Sequence, residues 1–115
     1  MIPYYIDTHA HLDGEEFAGD LPSVIQRAKE AGIGAIFVPG VDRSSIDSVM
    51  HVCREYQGFC FPMIGLQPEE VKADWQEVLQ VMRKSLENNL QLPSSSPLRY
   101  IAIGEFGLDF YWSRE

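Results

Sequence analysis

Basic side chains are scarce. The 115 residues carry nine Lys and Arg against seventeen Asp and Glu, a net charge of −8. The nine (Arg27, Lys29, Arg43, Arg54, Lys72, Arg83, Lys84, Arg99 and Arg114) are scattered, with only Arg83 and Lys84 adjacent. Without a basic stripe the chain cannot hold nucleic acid by bulk electrostatics. A phosphate-ester substrate would need positive charge from elsewhere, and a bound metal could supply it. Cysteine is also sparse. Cys53 and Cys60 are the only thiols, too few for a disulfide framework, so small buried hydrophobes in a reducing cytoplasm are expected. No segment approaches the ~18–20 apolar residues of a membrane span, and the opening MIPYY has no positive stretch leading into an apolar one. A cytoplasmic protein without membrane attachment is expected. There is no internal repeat, and the only low-complexity tract is a short serine loop.

What is present suffices for a core. Apolar residues make up 45% of the chain, an ordinary share for a globular protein. A chain of this size buries roughly two-thirds of its unfolded surface. A single domain over residues 1–115 is expected.

Strands and helices alternate along the sequence. YYIDT (4–8) is aromatic and β-branched, as a strand requires. Asp20 is placed to cap a helix with Pro22 in its first turn, and Leu21, Val24, Ile25 and Ala28 fall on one face. Gly32 ends it. IGAIFVPG (33–40) reads as a strand covered on both faces. Ser44 or Ser45 caps a second helix with the stripe Ile46, Val49, Cys53, Tyr56, stopped by Gly58. FCFPMIG (59–65) is a third strand, although Pro62 removes a ladder donor. Trp75, Val78, Leu79, Met82 and Leu86 mark a long third helix. After the loop LPSSSP (92–97), RYIAIGE (99–105) is a fourth strand, and FYWSRE (110–115) looks like the entry to a fourth helix. The order βαβαβαβ predicts parallel strands with helical crossovers.

The chemistry gathers at the strand ends. In D-x-H-x-H-x-D (7–13), His9 and His11 stand at i and i+2, a spacing that points both imidazoles to one face of an extended segment. Two nitrogens can then converge on one ion. Two ordinary histidines near a turn are the competing reading. By the same alternation Ala10 points away, and Asp7 is expected to anchor the strand end or to support a ligand. Glu105 ends an apolar strand between Gly104 and Gly107, as a rim carboxylate or as a third ligand; ligands of parallel α/β folds collect at that end. Asp109 either caps the next helix or orients a ligand. Gln67, in GLQPEE (65–70), is a neutral amide suited to a substrate oxygen, and Glu69 and Glu70 are expected as helix-start carboxylates. His51 lies mid-helix and does not face Cys53, which excludes a His–Cys metal pair there.

IDTHAHLD, VPGVD, GLQPEEV and IGEFGLDFYW occur in the order and spacing of the TatD family, which the chain resembles throughout its length. The resemblance implies the βαβαβαβ N-terminal half of a TIM-type (β/α)8 barrel, which needs ~250 residues and eight strands when whole. It implies a metal-dependent hydrolase of the deoxyribonuclease kind. One or two divalent ions (Zn2+, Mn2+, Fe2+ or, less suited to imidazole, Mg2+) would sit at the barrel mouth and activate water toward DNA or another phosphodiester. His9 and His11 match the family's first-strand ligands, and Glu105 matches the carboxylate that can bridge two metals. No side chain of this chain is assigned as a catalytic acid or base. Substrate contact falls to Gln67 and Asp109, with one departure: the family commonly has a histidine where Gln67 stands. Phosphoesterases of the PHP type share D-x-H-x-H but continue with T-D-H where this chain has PGVD. Dihydroorotase-like enzymes bridge their metals with a lysine, and none occurs from 85 to 115. Two alternatives stand: an amidohydrolase acting on a substrate other than nucleic acid, and an inactive half-barrel with a residual metal site, self-associating through its bare strand edges.

Overall fold

The computed structural model describes residues 5–67 and 70–104. Strands β1 (Tyr5–Asp7), β2 (Ile33–Pro39), β3 (Cys60–Ile64) and β4 (Ala102–Ile103) alternate with helices α1 (Leu21–Glu30), α2 (Ser45–Glu55) and α3 (Trp75–Asn89). The strands form one sheet in the order β1-β2-β3-β4, every pair parallel. Among the described residues, no helix is long and apolar enough to cross a membrane.

Two-residue alternation along β2 explains the layering. Ile36 and Val38 turn into a core with Ile25 of α1, Val49, Val52 and Cys53 of α2, and Phe59 and Cys60. Phe37 faces the other way and meets Phe61 edge-to-face at 6.2 Å, its register partner on β3. A second cluster joins Ile64 and Leu66 to Val78 and Met82 of α3. Fully burying a Val or Met side chain stabilises the fold by about 1.5–3 kcal/mol, so these stripes hold the helices on the sheet. The α3 stripe divides. Val78 and Met82 are buried, whereas Trp75 and Leu79 stay more than 40% exposed, at 43% and 44%.

The helix stops fall where expected, with Gly32 at φ 93° and Gly58 at φ 82°. There an L side chain would be strained. The starts differ from expectation. Asp20 precedes α1 but makes no side-chain cap. At α2 neither serine caps. Asp42 Oδ1 accepts the Ser45 N–H at 2.9 Å and the Ser44 hydroxyl at 2.8 Å, while Ser45 Oγ accepts the N–H groups of Val41 and Asp42.

Pro62 is accommodated inside β3. Its carbonyl accepts the Ile101 N–H at 3.0 Å, and its missing donor lies on that same side, just before pairing with β4 begins at Met63–Ala102. The fourth strand is shorter than 99–105. Buried Asn89 takes the backbone for α3 instead: its Nδ2 donates to Leu98 O at 2.9 Å and its Oδ1 accepts the Tyr100 N–H at 2.7 Å. The expected helix entry at 110–115 lies outside the described residues. At the sheet's edges Tyr5, Ile6, Ile101 and Ile103 are exposed.

Candidate metal centre

The carboxyl ends of the strands are tied together by backbone hydrogen bonds. Ala10 N–H donates to Phe37 O at 3.1 Å, Gly40 N–H to Met63 O at 3.0 Å, Gln67 N–H to Val41 O at 2.8 Å and Gly104 N–H to Ile64 O at 2.8 Å. A Cβ on Gly104 would come within 3.3 Å of Pro39 Cβ and 3.4 Å of Met63 Cβ. Flat-sheet strands two apart are separated by about 9.5 Å, so the chain leaving β4 bends inward over the end of β3. The sheet curls, and its four ends form one rim.

The histidines sit on that rim, but not on a strand. β1 stops at Asp7, and Thr8 bends the chain. Asp7 Oδ1 accepts the His9 N–H at 3.0 Å, so this carboxylate anchors the strand end, as expected from the sequence. Past the bend Ala10 and Leu12 pack into the core. His9 and His11 therefore share the opposite side, with ring centroids 4.9 Å apart and planes at 86°. Asp13, two residues on, accepts the Ser48 hydroxyl of α2 through Oδ2 at 2.6 Å.

The other expected site residues divide. Glu105, Asp109 and Glu69 lie outside the described residues. Gln67 is half-buried on the rim, and its carbonyl accepts the Glu70 N–H at 2.8 Å. Glu70 precedes α3 by several residues and pairs with Lys72 at 3.6 Å. It is not a first-turn carboxylate of that helix; Glu77 is. His51 points outward, with Nε2 3.2 Å from Glu55 Oε1. Cys53 is fully buried and unpaired, as is Cys60. Burial, helped by the neighbouring thiol, pushes Cys53 up to about 12, and burial pushes Cys60 up to about 11.

Among the described residues no group of three or more His, Cys, Asp and Glu side chains could hold a metal ion. The described chain supplies a pair of imidazole nitrogens on one side of a rim. That donor set suits Zn2+, Mn2+ or Fe2+ and needs at least one further ligand.

The TatD related DNase family model matches residues 6–115. The chain belongs to that family. A relative from Escherichia coli K12 named "Uncharacterized metal-dependent hydrolase YjjV" is 32% identical over 111 residues, 96% of this chain and 40% of its own length. The "3'-5' ssDNA/RNA exonuclease TatD" of Edwardsiella piscicida is 30% identical over 105 residues, 91% of this chain and 37% of that protein. The crystal structure of the YjjV TatD homolog from E. coli superposes with a TM-score of 0.75 at 32% identity, covering 93% of this chain and 38% of the other. The described fold is thus four parallel strands of a TatD TIM-type barrel, curled as a half-barrel with helices between them. The chain spans 40% or less of the length of these relatives.

Proposed function

We propose that this chain, as a single domain, is the N-terminal half of a TatD-type hydrolase. In this reading it contributes His9, His11 and Glu105 to a divalent-metal centre that cleaves phosphodiester bonds of nucleic acid in the cytoplasm. One observation carries the reading: two imidazoles share one side of the rim, 4.9 Å apart. Family membership and the relatives' names, metal-dependent hydrolase and ssDNA/RNA exonuclease, support it. One or two bound divalent ions would supply Lewis acidity, lowering the pKa of a bound water toward neutrality and offsetting phosphoryl charge. That concentrated charge also answers the electrostatic objection raised by a net charge of −8. The chain's own residues do the positioning. His9 and His11 offer imidazole nitrogen donors from a loop pinned at both ends. Gln67 can donate its amide to a substrate oxygen from the rim, and Asp109 orients the substrate.

The test compares the chain with its His9→Ala and Glu105→Ala variants on a labelled single-stranded oligonucleotide with added Mn2+ or Mg2+. Metal-dependent cleavage that drops at least tenfold in both variants supports the reading. Equal cleavage by all three removes it.

A second reading rests on the bare edges. Tyr5 and Ile6 on β1, and Ile103 on β4, remain 68%, 49% and 62% exposed. An apolar cavity of about 710 Å³ opens between α3 and the β3–β4 end, lined by Trp75, Leu79, Met82 and Ile103 among others. As an independent polypeptide the half-barrel would cover this surface with a second copy. Joining β4 of one copy to β1 of the other closes eight strands. Light scattering that finds a folded monomer at high concentration eliminates self-association.

A further inference from the structure

We infer that Ser48, on α2, is a positioning residue for the His9–His11 pair, acting through Asp13. The inference rests on the reading of that pair as metal ligands. Among the described residues β1 spans Tyr5–Asp7 and ends before either histidine, so what fixes the loop beyond it bears on both imidazoles. On the strand side the Asp7 carboxylate and the Ala10–Phe37 backbone bond hold residues 9 and 10. On the far side Leu12 is 4% exposed in the core, and Asp13 accepts the Ser48 hydroxyl at 2.6 Å from a helix 35 positions away in sequence. A hydroxyl-to-carboxylate bond of that length is charge-assisted and about twice as strong as a neutral one.

Ser48 is itself well fixed. Its neighbour Val49 is 1% exposed, and Val52 and Cys53 on the same helix are 4% and 0% exposed. Ser48 therefore transmits the position of a rigid helix to a point two residues from His11. Asp13 also shares its groove with Asp47 and Glu55 of α2. Without the Ser48 hydroxyl, the Asp13 carboxylate loses this tie to α2. The loop then samples more conformations, and the imidazoles lose their shared orientation. Removing a supporting partner of this kind typically weakens metal affinity about 10–100-fold.

The experiment titrates Co2+ into the chain and follows its visible d–d absorption. The variants are Ser48→Ala, Ser48→Thr, Asp13→Asn and the double variant His9→Ala/His11→Ala. Ser48→Ala should raise the Co2+ Kd roughly tenfold, Ser48→Thr should keep parental affinity, and the double variant should lose binding. A second readout needs no metal. In the metal-free Ser48→Ala chain the nuclear Overhauser contact between the His9 and His11 rings should vanish, while that between Phe37 and Phe61 stays. Parental Co2+ affinity in Ser48→Ala, with binding still lost in the histidine double variant, overturns the positioning role and leaves the metal reading standing. Loss of both ring contacts in Ser48→Ala, not reproduced by Asp13→Asn, assigns Ser48 to general stability and also overturns it. Parental Co2+ affinity in the double variant, or no binding by the parent chain, removes the metal reading itself.

Discussion

Replacing Asn89 tests how the fourth strand reaches the rim. Asn89 is 8% exposed at the end of α3 and spends both ends of its amide on the incoming chain, donating to Leu98 O at 2.9 Å and accepting from Tyr100 N–H at 2.7 Å. Asn89→Ala deletes two hydrogen bonds and leaves two half-buried backbone groups without that partner. A buried group so stranded costs about 1–3 kcal/mol. Partial access of water to residues 98–100 favours the lower half of that range, which gives about 2–4 kcal/mol for the pair. With a urea slope of about 2 kcal/mol per molar, the middle of the usual range, the unfolding midpoint should fall by roughly 1–2 M. The loss should also be directional. Ile101 and Gly104 amides, bonded to Pro62 O and Ile64 O, should exchange with deuterium faster in the variant. The Gly40 amide, bonded to Met63 O, should stay protected relative to them. Asn89→Asp should not rescue the fold, because its carboxylate still accepts the Tyr100 N–H but sets a second oxygen against Leu98 O at a site 8% exposed. A midpoint shift equivalent to less than about 0.5 kcal/mol, the ordinary range for an inconsequential surface change, would refute the reasoning. So would equal acceleration at Gly40 and Gly104.

Two further outcomes follow from the described contacts. Asp42→Ala should destabilise the chain by about 1 kcal/mol through loss of the α2 cap, with Asp42→Asn near neutral because asparagine caps as well; urea denaturation of the three chains checks it. The buried thiols make stability fall in alkali. Unfolded cysteines ionise near 9.0 while Cys53 and Cys60 hold their protons to about 12 and about 11, so the unfolded state alone gains charge. Their contribution is intact below about pH 9 and lost as pH rises through 11–12, at about 1.4 kcal/mol per pH unit per thiol. Cys53→Ala should roughly halve the thiol part of the decline measured between pH 9 and 10.5, and an unchanged slope contradicts the assignment.

Much of the fold was legible because each element obeys its own period. Ile36 and Val38 alternate with Phe37, and Val78 and Met82 recur at helical spacing. Gly32 and Gly58 mark stops because positive φ excludes most other residues. The parts that escaped depend on side chains turned to non-local or unexpected partners. Asp42 displaced the serines at the start of α2 because its carboxylate reaches two donors at once. Asn89 shortened the fourth strand by capturing Leu98 and Tyr100, and no propensity scale marks an asparagine that turns inward.

The two histidines come together for a different reason from the one their spacing suggests. The i, i+2 spacing of His9 and His11 did predict a shared side, but the strand that was meant to enforce it ends at Asp7. What enforces it is the apolar half of the same alternation. Ala10 and Leu12 enter the core, and the imidazoles must take the other side. H-A-H-L therefore encodes the shared side through two core contacts together with the bond from Ala10 N–H to Phe37 O, and this is why the bend at Thr8 does not scramble it. The same argument explains why Ser48 was invisible in the sequence. Its partner Asp13 stands out beside two histidines, whereas Ser48 sits among other serines with no periodic or motif signal. Only the packing of α2 against the core brings its hydroxyl to the loop, so the support we infer for the candidate site is a property of the tertiary fold even where its two histidines are written locally.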